Sequence, residues 1–241
     1  LIATLTGDTS IVEKVAFSPD GHILATTSAD KTAKLWDVAT HQLIATLTGH
    51  TGSLGGVVFS PDGHILATAS ADKTVKLWDV ATHQLIATLT GDTSIVEKVA
   101  FSPDGHILAT TSADKTVKLW DMATHQLIAT LTGHTSTVEG VAFSPDGHIL
   151  ATASDDKTAK LWDVATHQLI ATLTGHTDVV EAVAFSPDGH ALATASLDGT
   201  VRTWDPDTGR VSDHLCHIIG IPDRAEWERL IPDLPYHPTC H

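Results

Sequence analysis

The chain has 241 residues, 42% of them hydrophobic, with two cysteines and a formal charge of −15 at neutral pH. Such a chain can bury a core, no apolar run approaches the ~18 residues of a membrane span, and the few scattered Lys and Arg exclude a phosphate-binding surface. Cys216 and Cys240 both lie near the C-terminus, which rules out a disulfide framework for the rest and suits a reducing, cytoplasmic setting.

The chain opens on Leu1-Ile2-Ala3-Thr4-Leu5, a short strand that returns at Leu43, Leu85, Leu127 and Leu169. Leu1 is not an initiator methionine, which suits a fragment or a processed product. Trp36, Trp78, Trp120, Trp162 and Trp204 fall 42 residues apart, each followed by an aspartate. A fixed period of that length means one supersecondary unit repeated, each copy burying its apolar face on the next. Within Gly49–Leu89, Val57-Val58-Phe59 forms an apolar run ended by Ser60-Pro61-Asp62-Gly63, a tetrapeptide with hairpin-turn chemistry. Ile65–Ser70 is a second strand, Val75–Trp78 alternates as a half-buried third, and Leu85–Leu89 follows the turn Ala81–Gln84 as a fourth. Four antiparallel strands per repeat make one blade of a propeller.

Gly-His, Phe-Ser-Pro-Asp-Gly, Asp-Lys-Thr and Leu-Trp-Asp, in that order and spacing, resemble the WD-repeat propellers over residues 1–210. The resemblance implies an all-β β-propeller of four-stranded antiparallel blades, five WD-type repeats of 42 residues, with a short helical C-terminal extension. It also implies that Leu1–Thr6 completes the last blade by pairing with the strand around Val201–Trp204. Repeats one and three are almost identical, so an open arc cut from a longer array explains the same start.

Each repeat holds residues that a motif search could take for a catalytic triad, but a triad is defined by geometry and roles, and nothing here supplies an oxyanion site. By resemblance these residues form buried chains running from Trp through Ser and His to Asp. The tetrads are His50, Ser70, Asp72 and Trp78; His134, Ser154, Asp156 and Trp162; and His176, Ser196, Asp198 and Trp204. Asp8 and Asp92 stand where the other two repeats should have histidine, facing Asp30 and Asp114. Two carboxylates share such a place only with a proton or a cation between them. The expectation is that Asp8 and Asp92 turn outward to water.

In this family the partner surface is usually the face with the loops before strand one and the turns between strands two and three. There Glu13, Glu97, Glu139 and Glu181 recur at one point, with Gly55 as the exception. Beside them come Ile11, Ser53, Ile95, Thr137 and Val179, then Ala29, Ala71, Ala113, Asp155 and Leu197. An acidic ring with apolar spots suits a protein or peptide with basic and aliphatic residues; the same glutamates also serve solubility. Nine histidines fall on the opposite rim, His22, His64, His106, His148 and His190 after the Asp-Gly turns and His41, His83, His125 and His167 before strand four. Repeat amplification of a tolerated turn residue accounts for them, with weak divalent-metal binding or a charge switch near the ordinary His pKa of about 6.5 as alternatives.

After Gly209 the composition changes. Val211, Leu215, Ile218 and Ile219 fit one helical face, and Asp223 and Glu226 have capping-box spacing before Trp227, Leu230 and Ile231. Residues 211–241 are expected to pack on the propeller. Their Cys216, Ala225-Glu226-Trp227, Pro235-Tyr236 and Thr239-Cys240 resemble the extension of actinobacterial and cyanobacterial WD-repeat proteins, which often end signalling chains with an upstream STAND module or kinase. The sequence therefore reads as a non-catalytic interaction scaffold or sensor module of a larger bacterial signalling protein, without cofactor, metal, nucleic-acid or membrane partner. The alternatives are a carbohydrate-binding propeller with repeated equivalent sites and a self-assembling open arc, a homo-oligomer if the ring does not close.

Overall fold

The computed structural model of the protein describes residues 1–206. The expected tail, residues 211–241, with Cys216 and Cys240, lies outside the described residues. The first sheet holds β1 (Val12–Phe17), β2 (Ile23–Ser28), β3 (Ala33–Asp37) and β4 (Leu43–Leu47). The second holds β5 (Leu54–Phe59), β6 (Ile65–Ser70), β7 (Thr74–Asp79) and β8 (Leu85–Thr90); the third β9 (Val96–Phe101), β10 (Ile107–Ser112), β11 (Val117–Asp121) and β12 (Leu127–Leu131). In the fourth are β13 (Val138–Phe143), β14 (Ile149–Ser154), β15 (Ala159–Asp163) and β16 (Leu169–Leu173). The fifth has three strands, β17 (Val180–Phe185), β18 (Leu192–Ser196) and β19 (Val201–Trp204). All are antiparallel meanders, with no helix among the described residues.

The turns explain the register. In the first blade Ser18 donates to Asp20 at 2.6 Å, Asp20 accepts from the His22 amide at 3.0 Å, and the Ser18 hydroxyl accepts from Ile23 N–H at 2.9 Å. Gly21 takes the left-handed region that this turn needs (φ 74°). In the first four blades the aspartate after the tryptophan closes the next turn: Asp37 accepts from the amide and hydroxyl of Thr40, at 2.6 and 2.8 Å, and Asp79, Asp121 and Asp163 do the same with Thr82, Thr124 and Thr166. These local bonds fix both hairpin ends, so one strand pairing carries over from blade to blade.

The blades stack through their first strands, β1 beside β5, β5 beside β9, β9 beside β13 and β13 beside β17. Four apolar seams result. In the first, Ala25, Ala33, Leu35 and Leu47 of blade one pack on Leu54, Phe59, Leu66, Trp78 and Val80 of blade two. The same residue types recur between blades two and three, three and four, and four and five. Burial removes these side chains from water at about 25 cal/mol per Å², so the seams carry most of the fold's stabilisation.

The expected closure differs from what the structure holds. Leu1–Thr6 forms no strand, and nothing among the described residues pairs with the outer edge of β19. No seam of comparable size joins β17 to β1. Phe17 is 62% exposed where its counterpart Phe59 is 6% exposed. The physical reason is position: Leu1–Leu5 lies on the first blade, where Ile2, Ala3 and Leu5 line a cavity with Phe17, Leu24, Trp36 and Val38.

Candidate functional site

Each blade carries a polar chain inside its sheet. His50 reaches Asp72 from Nδ1 at 2.8 Å and Thr68 Oγ1 from Nε2 at 2.9 Å, and the Trp78 indole N–H donates to the same Thr68 oxygen at 2.9 Å. Blades four and five repeat this with His134, Asp156, Thr152 and Trp162, and with His176, Asp198, Thr194 and Trp204. A neutral imidazole that donates from Nδ1 and accepts at Nε2 satisfies every polar atom of the chain. Burial holds His50 and His134 below the ordinary imidazole range, against the opposing pull of Asp72 and Asp156.

The structure brings His, Asp and Trp together as expected and corrects the serine. The hydroxyl between Trp and His belongs to Thr68, Thr152 or Thr194. Ser70 instead donates to the Gly52 carbonyl at 3.2 Å and accepts from the Asp72 amide at 3.1 Å, and Ser154 and Ser196 do the same. Residues 68 and 70 share one face of β6, but Thr68 sits mid-strand, within reach of the Trp78 indole, whereas Ser70 ends the strand at the turn. With its hydroxyl committed to a turn, none of these serines is placed as a nucleophile.

Blades one and three solve the missing histidine differently. Asp8 and Asp92 point inward, contrary to the outward orientation expected from sequence. Lys34 bridges Asp8 at 2.7 Å and Asp30 at 3.3 Å; Lys118 bridges Asp92 at 2.6 Å and Asp114 at 3.2 Å. Asp8 also accepts from Thr26, which in turn accepts from the Trp36 indole at 3.1 Å. The cation that two facing carboxylates require is thus a lysine of the same blade. In blades two and four the equivalent Lys76 and Lys160 reach the next strand, donating to Thr88 and Thr172 at 3.0 and 2.9 Å. The signal was present in the sequence as a lysine two residues before the tryptophan of each of the first four repeats, with Arg202 at that place in the fifth.

The edge with the loops before each first strand is the candidate contact surface. One backbone bond builds it in all five blades: Ala29 N–H to Ile11, Ala71 to Ser53, Ala113 to Ile95, Asp155 to Thr137 and Leu197 to Val179, all 2.9–3.0 Å. These bonds bring the two loops of each blade together. Ile11, Ile95 and Leu197 are exposed, Val179 and Asp155 half-buried. Glu13 and Glu181 are exposed, Glu97 and Glu139 half-buried. Burial pushes the Glu139 carboxyl up, and the negative charges of Glu97, Asp155 and Glu181 push it further, against Lys98. Burial likewise raises Glu97. The carboxylates of blades three to five therefore face one another closely enough to repel.

On the opposite rim the His22 carbonyl accepts from Val38 N–H at 2.9 Å, which puts the two histidine-bearing turns of a blade side by side. Among the described residues no group of three or more His, Cys, Asp or Glu side chains is arranged to hold a metal ion. No helix among the described residues is long and apolar enough to cross a membrane.

Two family models match the chain. One, described as the IFT122 first beta-propeller, matches residues 95–217, just over half of the chain. The other, described as WD domain, G-beta repeat, matches residues 1–37 and 41–79. Among curated proteins, Protein Mut11 of Chlamydomonas reinhardtii is 58% identical over 36 residues, 15% of this chain and 10% of that protein.

Proposed function

Because the chain belongs to the WD-repeat β-propeller family, whose propellers typically mediate protein–protein interaction, we propose that it is a non-catalytic scaffold that binds a protein or peptide on its acidic, partly apolar loop edge. The observation that carries this reading is the gathering of Glu97, Glu139, Asp155 and Glu181, where burial first, and then the neighbouring negative charges, raise the Glu139 carboxyl. A basic partner relieves that repulsion, so the surface is already disposed toward positive charge. Exposed Ile95 and Leu197 beside it supply anchors for aliphatic side chains. The resemblance of the segment after Gly209 extends the reading to a sensor or scaffold module within a larger bacterial signalling chain.

The test is fluorescence anisotropy with labelled peptides that combine Lys or Arg with Leu or Ile, against scrambled acidic controls. A triple Glu97→Gln, Glu139→Gln, Glu181→Gln variant is expected to weaken binding by roughly tenfold or more, with the wild-type affinity falling as salt rises. Equal binding by wild type and variant would overturn the proposed surface.

A further inference from the structure

The two ends of the blade series carry complementary, incomplete halves of a seam. At each internal seam a leading face made of Phe, Leu, Trp and a residue at the Val80 position packs on the trailing Ala and Leu side chains of the preceding blade. Blade one has the same leading face, Phe17, Leu24, Trp36 and Val38, which among the described residues meets Ile2, Ala3 and Leu5 around a cavity of about 280 Å³. Leu1–Leu5 has the sequence of β4, Leu43–Leu47. It also takes the place of a fourth strand. A Cβ on Gly7 would stand 3.1 Å from the Trp36 ring, as one on Gly91 or Gly133 would stand 3.2 Å from Trp120 or Trp162. Blade one is thus covered by a segment that has the sequence of a fourth strand.

Among the described residues blade five has three strands and no counterpart of β4. Its sheet ends at β19 among the described residues, with Val201 70% exposed where Val75 and Val117 are 1% exposed.

We propose that these halves join between two copies of this chain: Leu1–Leu5 of one copy pairs antiparallel with β19 of a second, completes its fifth blade, and seats that blade on the Phe17–Trp36 face. This is strand addition to an open edge followed by burial of an apolar face, the arrangement already present at four seams within the chain. The register follows from β3 and β4, where Leu35 faces Ala45 and Ala33 faces Leu47. It places Ala3 of one copy opposite Thr203 of the next, and Leu5 opposite Val201. The interface is heterologous, so copies add head to tail. Thr203 replaces the buried leucine found at Leu35, Leu77, Leu119 and Leu161, so the junction buries less apolar surface than an internal seam and is reversible. The charge of −15 on every copy opposes association at low salt.

The test uses the full 241-residue chain with Cys216→Ser and Cys240→Ser, in which Ala3→Cys and Thr203→Cys are made separately. Mixed and oxidised, the two single variants are expected to give a cross-linked dimer, and sedimentation of the wild type to show mass rising with concentration and with salt. Phe17→Glu, at an exposed position, is expected to fold normally by tryptophan fluorescence and to abolish both. A monomer at all concentrations with no mixed cross-link overturns the proposal. So does a double Ala3→Cys, Thr203→Cys chain that closes on itself at monomer mass without mixed cross-linking, or association that survives Phe17→Glu.

Discussion

Lys118 donates to Asp92 at 2.6 Å inside the third blade, and this one contact separates two kinds of blade in the same chain. Where histidine stands at that position, as His50 and His134 do, the lysine turns instead to a threonine of the neighbouring strand. Where aspartate stands, the lysine stays and neutralises two carboxylates. Both arrangements satisfy the groups within reach, by different chemistry.

Replacing Lys118 with methionine is therefore expected to cost about 3 kcal/mol, because Asp92 and Asp114 would face each other without a cation. The same change at Lys76, which donates only to Thr88, is expected to cost no more than about 1 kcal/mol. Adding Asp92→His to Lys118→Met should recover much of the loss, since Asp114 and Thr110 are placed as Asp72 and Thr68 are for His50. Urea denaturation of the three variants and the wild type checks the series.

The pH dependence follows from the histidine blades. His50 and His134 are depressed by burial, so the stability their neutral rings confer is present above the unfolded value of 6.5 and is lost as pH falls through the folded values. Burial would raise Asp72, but hydrogen bonds from Thr74, Thr51 and His50 outweigh it and hold the carboxyl at about 2. Its contribution is present above 3.8 and is lost as pH falls toward 2. Melting temperature is expected to decline in two stages on acidification, and His50→Gln should shrink the first, with the His134 share remaining, and move the second slightly upward because Asp72 loses its His50 partner.

Thr27 buries a hydroxyl oxygen that meets no hydrogen-bond partner. Its counterpart Thr111 accepts from the Lys98 amide at 3.1 Å, and blades two, four and five have alanine there (Ala69, Ala153, Ala195). Thr27→Ala is expected to stabilise the protein by about 1 kcal/mol, whereas Thr111→Ala should not. Differential scanning calorimetry distinguishes the two.

Lys31, Lys73, Lys115 and Lys157 adopt left-handed backbone with φ from 70° to 74°, and the fifth repeat places Gly199 at that point with φ 80°. A side chain there costs about 1 kcal/mol relative to glycine. Lys73→Gly is expected to raise stability by roughly 0.5 kcal/mol after the entropy of the freer unfolded chain is counted. An unchanged or lower melting temperature would count against strain at that turn.

What the sequence disclosed follows the rules that are local. Trp78 with its 42-residue period located the third strand, and Pro61-Asp62-Gly63 located the hairpin before the second; the strands run Thr74–Asp79 and Ile65–Ser70. The pairing of His50 with Asp72 also came through. The choice of Thr68 over Ser70 did not, because both hydroxyls lie on one strand face two residues apart and only distance to the Trp78 indole decides. Lys34 was missed as the partner of Asp8 because a recurrent lysine carries no mark of which way it turns. The pairing expected for Leu1–Thr6 depended on how far five blades bring their ends together, which no short motif encodes. On the contact edge, a backbone bond of the Ile11–Ala29 type joins the two loops of each blade.

Every polar chain described above is confined to one blade. His50, Asp72, Thr68 and Trp78 all come from the second repeat, and Asp92, Lys118 and Asp114 all from the third. The packed seams between blades are made of apolar side chains of repeating type, with one exposed polar bond across them from Lys157 to the Thr177 carbonyl at 2.9 Å. A gene with this layout can gain, lose or transpose a whole repeat without severing an internal circuit. Copy number is then free to drift while each surviving copy remains chemically complete.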